Sequence, residues 1–350
     1  MPRNREGVLV HLPNWLGDVV MATPVFRCLM ENLPGEPRVA LGRKKVLPIL
    51  DGSPWFTEVW EAPDPVGAAA FVPPLSLISR IRRSGFRAGL ILPNSFRSAL
   101  PFFMAGVPTR VGYARDGRRM LLTRPVERFR EGGKFKPTYM ADYYLRLCKE
   151  LGMSSSSAEP ELFIPADAVS RADTLLDGLG ASRDAGLILV CPGAGFGPSK
   201  LWREDRFAAV ADALSEEYGV TIILAAAPSD ARITAAISGL ARKRLLDTAT
   251  IGVDLNVFKE LVRRSRLVIT LDSGPRHFAV ALKRPAVTLI GPTDPRYARY
   301  PGEKGLEVRM PPPCAPCQEK TCREGHHRCM EDITVEMALD ACRRILSSHD

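Results

Sequence analysis

The chain reads as an α/β protein of two Rossmann-like domains facing a cleft. Three observations carry this expectation. Short all-apolar strands alternate with helices in both halves, the pattern of parallel sheets covered on both faces. A length of 350 residues exceeds one ordinary core. A polar stretch, GMSSSSAEPE at 152–161, separates the two runs and reads as a linker. The domains are therefore placed at 1–155 and 156–330, with a last helix in 331–350.

In the first half, strands are expected at 7–12, 38–41, 58–60, 88–92 and 110–112. Helices are expected at 18–32, 74–83 and 98–104. The segment MADYYLRLCKEL, 140–151, has helical spacing, with Tyr143, Leu147 and Leu151 on one side. The second half repeats the grammar, with strands at 187–191, 220–224, 267–271 and 286–290. Its helices are expected at 205–218, 229–241, 255–264 and 275–282. From 291 to 330 the chain turns irregular and rich in Pro and Cys, and a helix over 335–346 closes it. No short-period repeat is evident.

Composition is globular, with 45% hydrophobic and 25% charged residues. No run of 18 apolar residues predicts a membrane-spanning helix, and the N-terminus leads into a strand without a signal-peptide pattern. A cytoplasmic protein is expected. The net charge of +9 is uneven: residues 1–160 hold 23 Lys and Arg against 14 Asp and Glu, whereas 161–350 hold 25 of each. That asymmetry suggests an anionic partner for the first half, although a solubilising surface would look the same.

Eight cysteines in a cytosolic chain do not suggest a disulfide framework. Cys28, Cys148 and Cys191 lie in apolar segments and read as buried thiols. Cys314, Cys317, Cys322 and Cys329, with His326 and His327 among them, permit a tetrahedral zinc site. Their spacing matches no standard finger or ferredoxin pattern, and loop packing by reduced thiols is the other reading.

The most informative stretch runs from 264 to 295. An apolar strand ends at Asp272, Ser273 and Gly274 make a tight turn, and Pro275 opens a helix, where its missing N–H costs nothing. Free amides and the positive dipole end make an anion site there, within reach of His277. A phosphorylated ligand is expected.

The turn CPGAGFGPSKLWRED, 191–205, brings Gly193, Gly195, Gly197 and Lys200. Pro198 breaks the dinucleotide fingerprint, and Lys200 between Ser199 and Leu201 breaks the P-loop pattern, so neither a dehydrogenase nor a P-loop NTPase is supported. Lys200 serves either as a phosphate charge or as a surface residue of a flexible loop. Asp230 follows another buried strand, suiting either ribose hydroxyls or a simple helix cap. In the first half, HLPNWLGDVVMATP places Asn14, Trp15 and Asp18 after the first strand. Asp18 serves either a ligand or only the helix N-terminus. LPNSFRSAL offers Asn94, Ser95 and Arg97 at another rim. Arg110, Arg115, Arg118 and Arg119 follow, each suited to bidentate phosphate or carboxylate contact or to a solvated surface.

Together PNWLGDVVMATP, LPNSFRSAL, PGAGFGPSKLW and DSGPRHFAVAL…GPTDP resemble glycosyltransferase family 9, the ADP-heptose:lipopolysaccharide heptosyltransferases, over nearly the whole chain. NWLGD, NSFRSAL, Lys200 before Trp202 and the HHRC tail look most like the branch that adds the second inner-core heptose. Pro275-Arg276 before His277 departs from many members.

The resemblance implies a GT-B type fold, with acceptor on the N-terminal domain, ADP-heptose on the C-terminal domain and a final helix packing back across the cleft. By motif position Asp18 is the general base. Lys200, Asp230, Asp272, Ser273, Gly274 and His277 bind donor, and Asn14, Trp15, Asn94, Ser95, Arg97, Arg110 and Arg115 bind acceptor. The implied reaction inverts, takes heptose from ADP-L-glycero-β-D-manno-heptose to a lipid A-Kdo-heptose acceptor, and needs no cofactor or obligatory metal. Peripheral contact with the inner leaflet of the cytoplasmic membrane follows from such an acceptor. Without an aromatic-interleaved basic surface, nucleic acid is not expected. The alternatives are a family 9 transferase with another acceptor, of heptosyltransferase I or III type, and a non-catalytic nucleotide-sugar-binding protein.

Overall fold

The computed structural model describes residues 6–63, 72–182 and 185–348. The chain divides into two compact units, Met1–Phe163 and Ile164–Asp350. The first carries strands β1 (Val8–His11), β2 (Arg38–Gly42), β3 (Glu58–Glu61), β4 (Ala88–Ile91), β5 (Thr109–Tyr113) and β6 (Arg124–Val126). They lie in the order β3-β2-β1-β4-β5-β6, all parallel, with Val8 opposite Arg38 on one side and Ala88 on the other. Helices α1 (Leu16–Met21), α2 (Thr23–Asn32), α3 (Leu75–Ser84), α4 (Phe96–Met104) and α5 (Met140–Lys149) belong to this unit. A two-stranded antiparallel hairpin, β7 (Arg130–Glu131) and β8 (Lys134–Phe135), stands outside the sheet.

The second unit repeats the architecture. It begins with α6 (Ala166–Gly178), β9 (Leu187–Cys191), α7 (Glu204–Tyr218), β10 (Thr221–Leu224), α8 (Ala231–Leu240) and β11 (Leu246–Asp247). It continues through α9 (Leu255–Arg264), β12 (Ser265–Leu271), α10 (Gly274–Ala281), β13 (Ala286–Leu289) and β14 (Gly305–Val308). Two helices, α11 (Arg328–Glu331) and α12 (Val335–Ser347), complete it. Its order, β11-β10-β9-β12-β13-β14, is again parallel throughout. In both sheets the order reverses beside the first strand. Two switch points result, β1/β4 and β9/β12, where parallel sheets bind ligands outside their carboxyl ends. The strands flanking them are almost wholly buried, which is why they read as continuous apolar runs.

Several details differ from expectation. The helix expected over 18–32 is two helices, because Pro24 lacks the N–H to continue the ladder and the backbone breaks at Ala22. Helix α6, strands β6, β11 and β14 and the hairpin had no counterpart in the sequence reading. The boundary falls at 163/164, not 155/156. The Ser-rich stretch is tied to α2: Arg27 donates to the carbonyls of Ser157 (2.9 Å) and Glu159 (3.1 Å) and pairs with Glu161 at 2.9 Å. Phe163 then sets its ring edge-on to Trp55.

Helix α12 had been expected to pack back across the cleft. Its buried face, Ala338, Leu339, Cys342, Ile345 and Leu346, is part of the second unit's own core with Val210, Leu214, Val287 and Val308. No helix among the described residues is long and apolar enough to cross a membrane.

Candidate active site

At the β9/β12 switch point, Lys200 and Asp272 meet. The turn after β9 winds through Gly197 and a 3-10 turn, Pro198–Lys200, and delivers the lysine ammonium to the end of β12. There Nζ donates to the main-chain carbonyl of Asp272 and lies 3.3 Å from its Oδ2. Thr293 donates to the same Oδ2 at 2.5 Å, and Arg276 donates to Oδ1 at 3.3 Å. Burial alone would raise the Asp272 carboxyl; Lys200, Arg276 and Thr293 outweigh it and hold the group down at about 2. The residue is therefore a fixed carboxylate.

Helix α10 begins directly behind it. Its N-cap, Ser273, is extended and lends no side-chain cap, and Pro275 occupies the first turn. The amides at this helix start are consequently not covered by a cap side chain, which suits an anion. His277, one turn in, is pulled down to about 3 by burial, with Arg276 and Lys200 adding to the effect and Asp272 opposing it. It is a neutral imidazole near pH 7, able to donate or accept one hydrogen bond without adding charge. Across the turn, Asp230 approaches Gly193 so closely that a Cβ there would sit 2.2 Å from its Oδ2. Asp230 makes no side-chain cap on α8, and burial raises its carboxyl. Of the two readings of Asp230, the cap is absent.

The first unit gathers its candidates at β1/β4. Asn14 and Trp15 lie in the turn after β1. Trp15 is the N-cap of α1 and 52% exposed, with Lys45 Nζ 5.2 Å from its ring centre. Asp18 stands in the first turn of α1, close enough to the buried Tyr144 for its charge to help raise that phenol, which burial raises most. At the end of β4, Asn94 accepts from the Tyr143 hydroxyl at 3.1 Å. Burial raises the Tyr143 phenol, against hydrogen bonds with Arg115 and with Asn94. Asn94 and Arg115 are thus joined through one tyrosine on α5. Ser95 and Arg97 lie at the exposed start of α4. An open cavity of about 660 Å³ beyond β5 is lined by Arg115, Asp116, Arg119, Met120 and Thr123, among others.

Arg110 is not brought to this group. It sits near the amino end of β5, and its guanidinium closes on the carbonyls of Leu121 (2.6 Å) and Val107 (2.5 Å). Arg118 is fully buried. It donates to the Tyr113 carbonyl at 2.8 Å, to Ser98 Oγ at 2.9 Å and to the Pro93 carbonyl, so it shapes the loop carrying Asn94 and Ser95 from below.

Residues 75–328 match glycosyltransferase family 9 (heptosyltransferase). The chain belongs to this family. Lipopolysaccharide heptosyltransferase 2 of Escherichia coli K12 is 28% identical over 97% of this chain and 98% of that protein. Lipooligosaccharide heptosyltransferase 2 of Haemophilus ducreyi is likewise 28% identical, over 97% and 99%. Among solved structures, a family 9 glycosyl transferase from Veillonella parvula aligns with a TM-score of 0.82 at 19% identity, covering 99% of each chain. The E. coli ADP-heptose lps heptosyltransferase II aligns with a TM-score of 0.79 at 24% identity, covering 98% of this chain and 99% of that one. Two parallel sheets of Rossmann order are thus the GT-B type fold, and the protein is a family 9 glycosyltransferase.

Three features of the candidate site were not foreseen. Thr293 lies inside the quoted GPTDP stretch, where a hydroxyl four residues past the end of β13 was the available signal. Tyr143 was assigned only to a buried helix face. The Cys-rich segment proves to be a brace for the Lys200 turn. Ser199 donates its N–H to the Lys320 carbonyl (3.1 Å) and its hydroxyl to the Glu319 carbonyl (2.6 Å), and His327 Nε2 lies 2.7 Å from the Ser199 carbonyl. Cys314 Sγ is 4.0 Å from His326 Nε2, and all eight cysteines are free. Among the described residues no group of three or more His, Cys, Asp or Glu is arranged to hold a metal ion.

Proposed function

We propose that this family 9 glycosyltransferase moves heptose from ADP-heptose to the first heptose of the lipopolysaccharide inner core. The observation that carries the reading is the Lys200–Asp272 pair beside the uncapped start of α10, within a chain similar over its whole length to heptosyltransferases named 2. A cation fixed next to helix-end amides is the arrangement a pyrophosphate requires. Asp230 beside Gly193 suits the ribose hydroxyls.

In this reading the acceptor hydroxyl oxygen attacks the anomeric carbon of the heptose while the bond from that carbon to the ADP phosphate oxygen breaks. The hydroxyl proton passes to the Asp18 carboxylate, and the anomeric configuration inverts. Charge that grows on departing ADP is met by Lys200 and the amides of α10, interactions that strengthen as the bond breaks and so favour the transition state. Neutral His277 adds a hydrogen bond without repelling Lys200. The acceptor side takes Asn14, Trp15, Asn94, Ser95, Arg97 and Arg115, with Tyr143 fixing Asn94 against Arg115. Because that acceptor is a glycolipid, we place the enzyme peripherally at the cytoplasmic membrane.

The test is product analysis with purified protein, ADP-heptose and an acceptor ending in one inner-core heptose. The expected product carries one additional heptose, with one ADP released for each. Transfer only to a heptose-free or a longer core would reassign the acceptor. Binding of ADP-heptose without transfer to any of the three would leave a nucleotide-sugar-binding protein.

A further inference from the structure

The β7–β8 hairpin belongs to neither six-stranded sheet, and an isolated two-stranded hairpin is marginal in water. Its turn is Gly132-Gly133, both with positive φ, which closes a tight two-residue loop at little strain. The hairpin displays two large aromatics, Phe129 at its base, 42% exposed, and Phe135, 44% exposed. Met120, just before β6, is 78% exposed. Cations surround these apolar groups. Arg128 and Arg130 lie 3.0 and 4.4 Å from the centre of the Phe135 ring, and Arg146 lies 4.2 Å from that of Phe129. Lys136 completes the rim and pairs with Glu131 at 3.5 Å. An ion pair from Arg119 to Glu127 links the segment carrying Met120 to the strand leading into the hairpin.

The charge is concentrated here. Residues 115–136 contain eight Lys and Arg against three Asp and Glu, an excess of five out of the whole chain's nine. Arg118 is buried and does not reach a surface, which lowers that excess to four. Contrary to the sequence reading, basic and aromatic residues do interleave at this surface. Exposed aromatics ringed by long cationic side chains fit a lipid–water boundary. Rings enter the headgroup region, stems lie along it, and guanidinium groups meet lipid phosphates.

From this we infer that the hairpin and Met120 form a membrane-docking surface whose partner is an anionic phospholipid bilayer. The inference deepens the proposed placement at a membrane but does not depend on which sugar is transferred. Vesicle binding is measured without turnover, so the two readings fail separately. The cations bring the protein to the surface and the two phenylalanines hold it there. Electrostatic attraction alone would be screened within about 8 Å at physiological salt.

The experiment is flotation of the full-length protein with vesicles of phosphatidylcholine alone and of phosphatidylcholine with phosphatidylglycerol. The variants are Phe129→Ser/Phe135→Ser and Phe129→Trp/Phe135→Trp. Circular dichroism and turnover on a detergent-free, deacylated acceptor check that each variant is folded. The wild type is expected to float with the anionic vesicles only. The double Ser variant is expected to lose roughly tenfold or more in binding, and the double Trp variant to keep it with a blue-shifted emission. Unchanged binding by a folded Ser variant, equal binding to neutral vesicles, or no flotation of the wild type would overturn the inference. So would binding only to vesicles that carry the acceptor glycolipid, which would assign the hairpin to acceptor recognition.

Discussion

Lys200 and Asp272, 72 positions apart, join the ends of β9 and β12: one ammonium donates to the main-chain carbonyl and lies beside the carboxylate of the same residue. A phosphate that engages Lys200 therefore competes with a carboxylate. That carboxylate does not lose its support, because Arg276 and Thr293 remain on it. The aspartate thus acts as a place-holder that keeps the lysine extended into the site.

Replacing Lys200 by Ala should weaken ADP binding by about 1.5–3 kcal/mol, the range for a hydrogen bond to a charged group. Calorimetry with ADP measures this directly. An unchanged affinity in a folded Lys200→Ala protein would remove the lysine from the donor site.

Asp18→Asn should lower turnover by about a hundredfold or more, the usual scale for a general base. The side chain keeps nearly the same shape, so ADP affinity should hold. Steady-state rates and ADP calorimetry on one preparation check both. Near-normal turnover would end the assignment of Asp18 as base.

How far the sequence foretold this depends on where the information sits. Strands β9 and β12 and the turn at Asp272 were legible because an all-apolar run ended by Asp-Ser-Gly-Pro has few other local meanings. Strands β6, β11 and β14 were not. They are two to four residues long, lie towards or at sheet edges and mix polar with apolar residues, so local pattern does not mark them. Helix α6 escaped because two of its three buried residues are Ala168 and Ala172, which contribute little to a hydrophobic stripe. Arg276 looked like a departure from family habit. It is buried because Glu303 and Glu307, 27 and 31 residues onward, each come within 2.7 Å of it. Tyr143 was visible as an apolar-face residue, but its hydroxyl bond to Asn94 depends on a contact 49 residues back.

Tyr143→Phe should therefore act on the acceptor side alone. Removing the hydroxyl frees Asn94 Oδ1 and a hydrogen-bond partner of Arg115, costing about 1 kcal/mol of acceptor positioning. The expected readout is an acceptor KM several-fold higher with donor KM unchanged. Equal changes in both constants would show that the tyrosine only supports the fold.

Arg276→Met tests the buried ion cluster. The arginine serves Asp272, Glu303 and Glu307 at once, and its burial lowers its pKa less than those carboxylates raise it. Its loss leaves three carboxylates near one another, although Lys200 still serves Asp272 and Arg299 still serves Glu307. Breaking such a pair from one side costs about 3–5 kcal/mol. Urea denaturation should show a loss in that range, and one below about 1 kcal/mol would mean that the neighbouring cations compensate.

Acid should destabilise the protein well before its carboxylates titrate. Burial, then the charge of Arg276, pulls His277 from 6.5 down to about 3, while burial and Arg118, against the Ser98 carbonyl, pull His11 down to about 4. Both imidazoles are neutral in the native state where the unfolded chain is already taking up protons. Stability is thus fully present above pH about 6.5 and falls as pH drops towards the folded values, by about 1.4 kcal/mol per pH unit for each histidine. Asp272 behaves in the same direction in a lower window. Its folded value of about 2 lies beneath the ordinary 3.8, so its contribution persists above pH about 3.8 and is lost between there and about 2. Between pH 6.5 and 5 the two histidines make the largest contribution, about 2 kcal/mol each. Urea titrations at pH 7 and pH 5 should show the wild type losing stability, and His277→Gln losing about half as much, because its amide does not titrate. If that variant loses as much as the wild type over this interval, His277 is not held neutral by burial, and its place beside Lys200 needs another explanation.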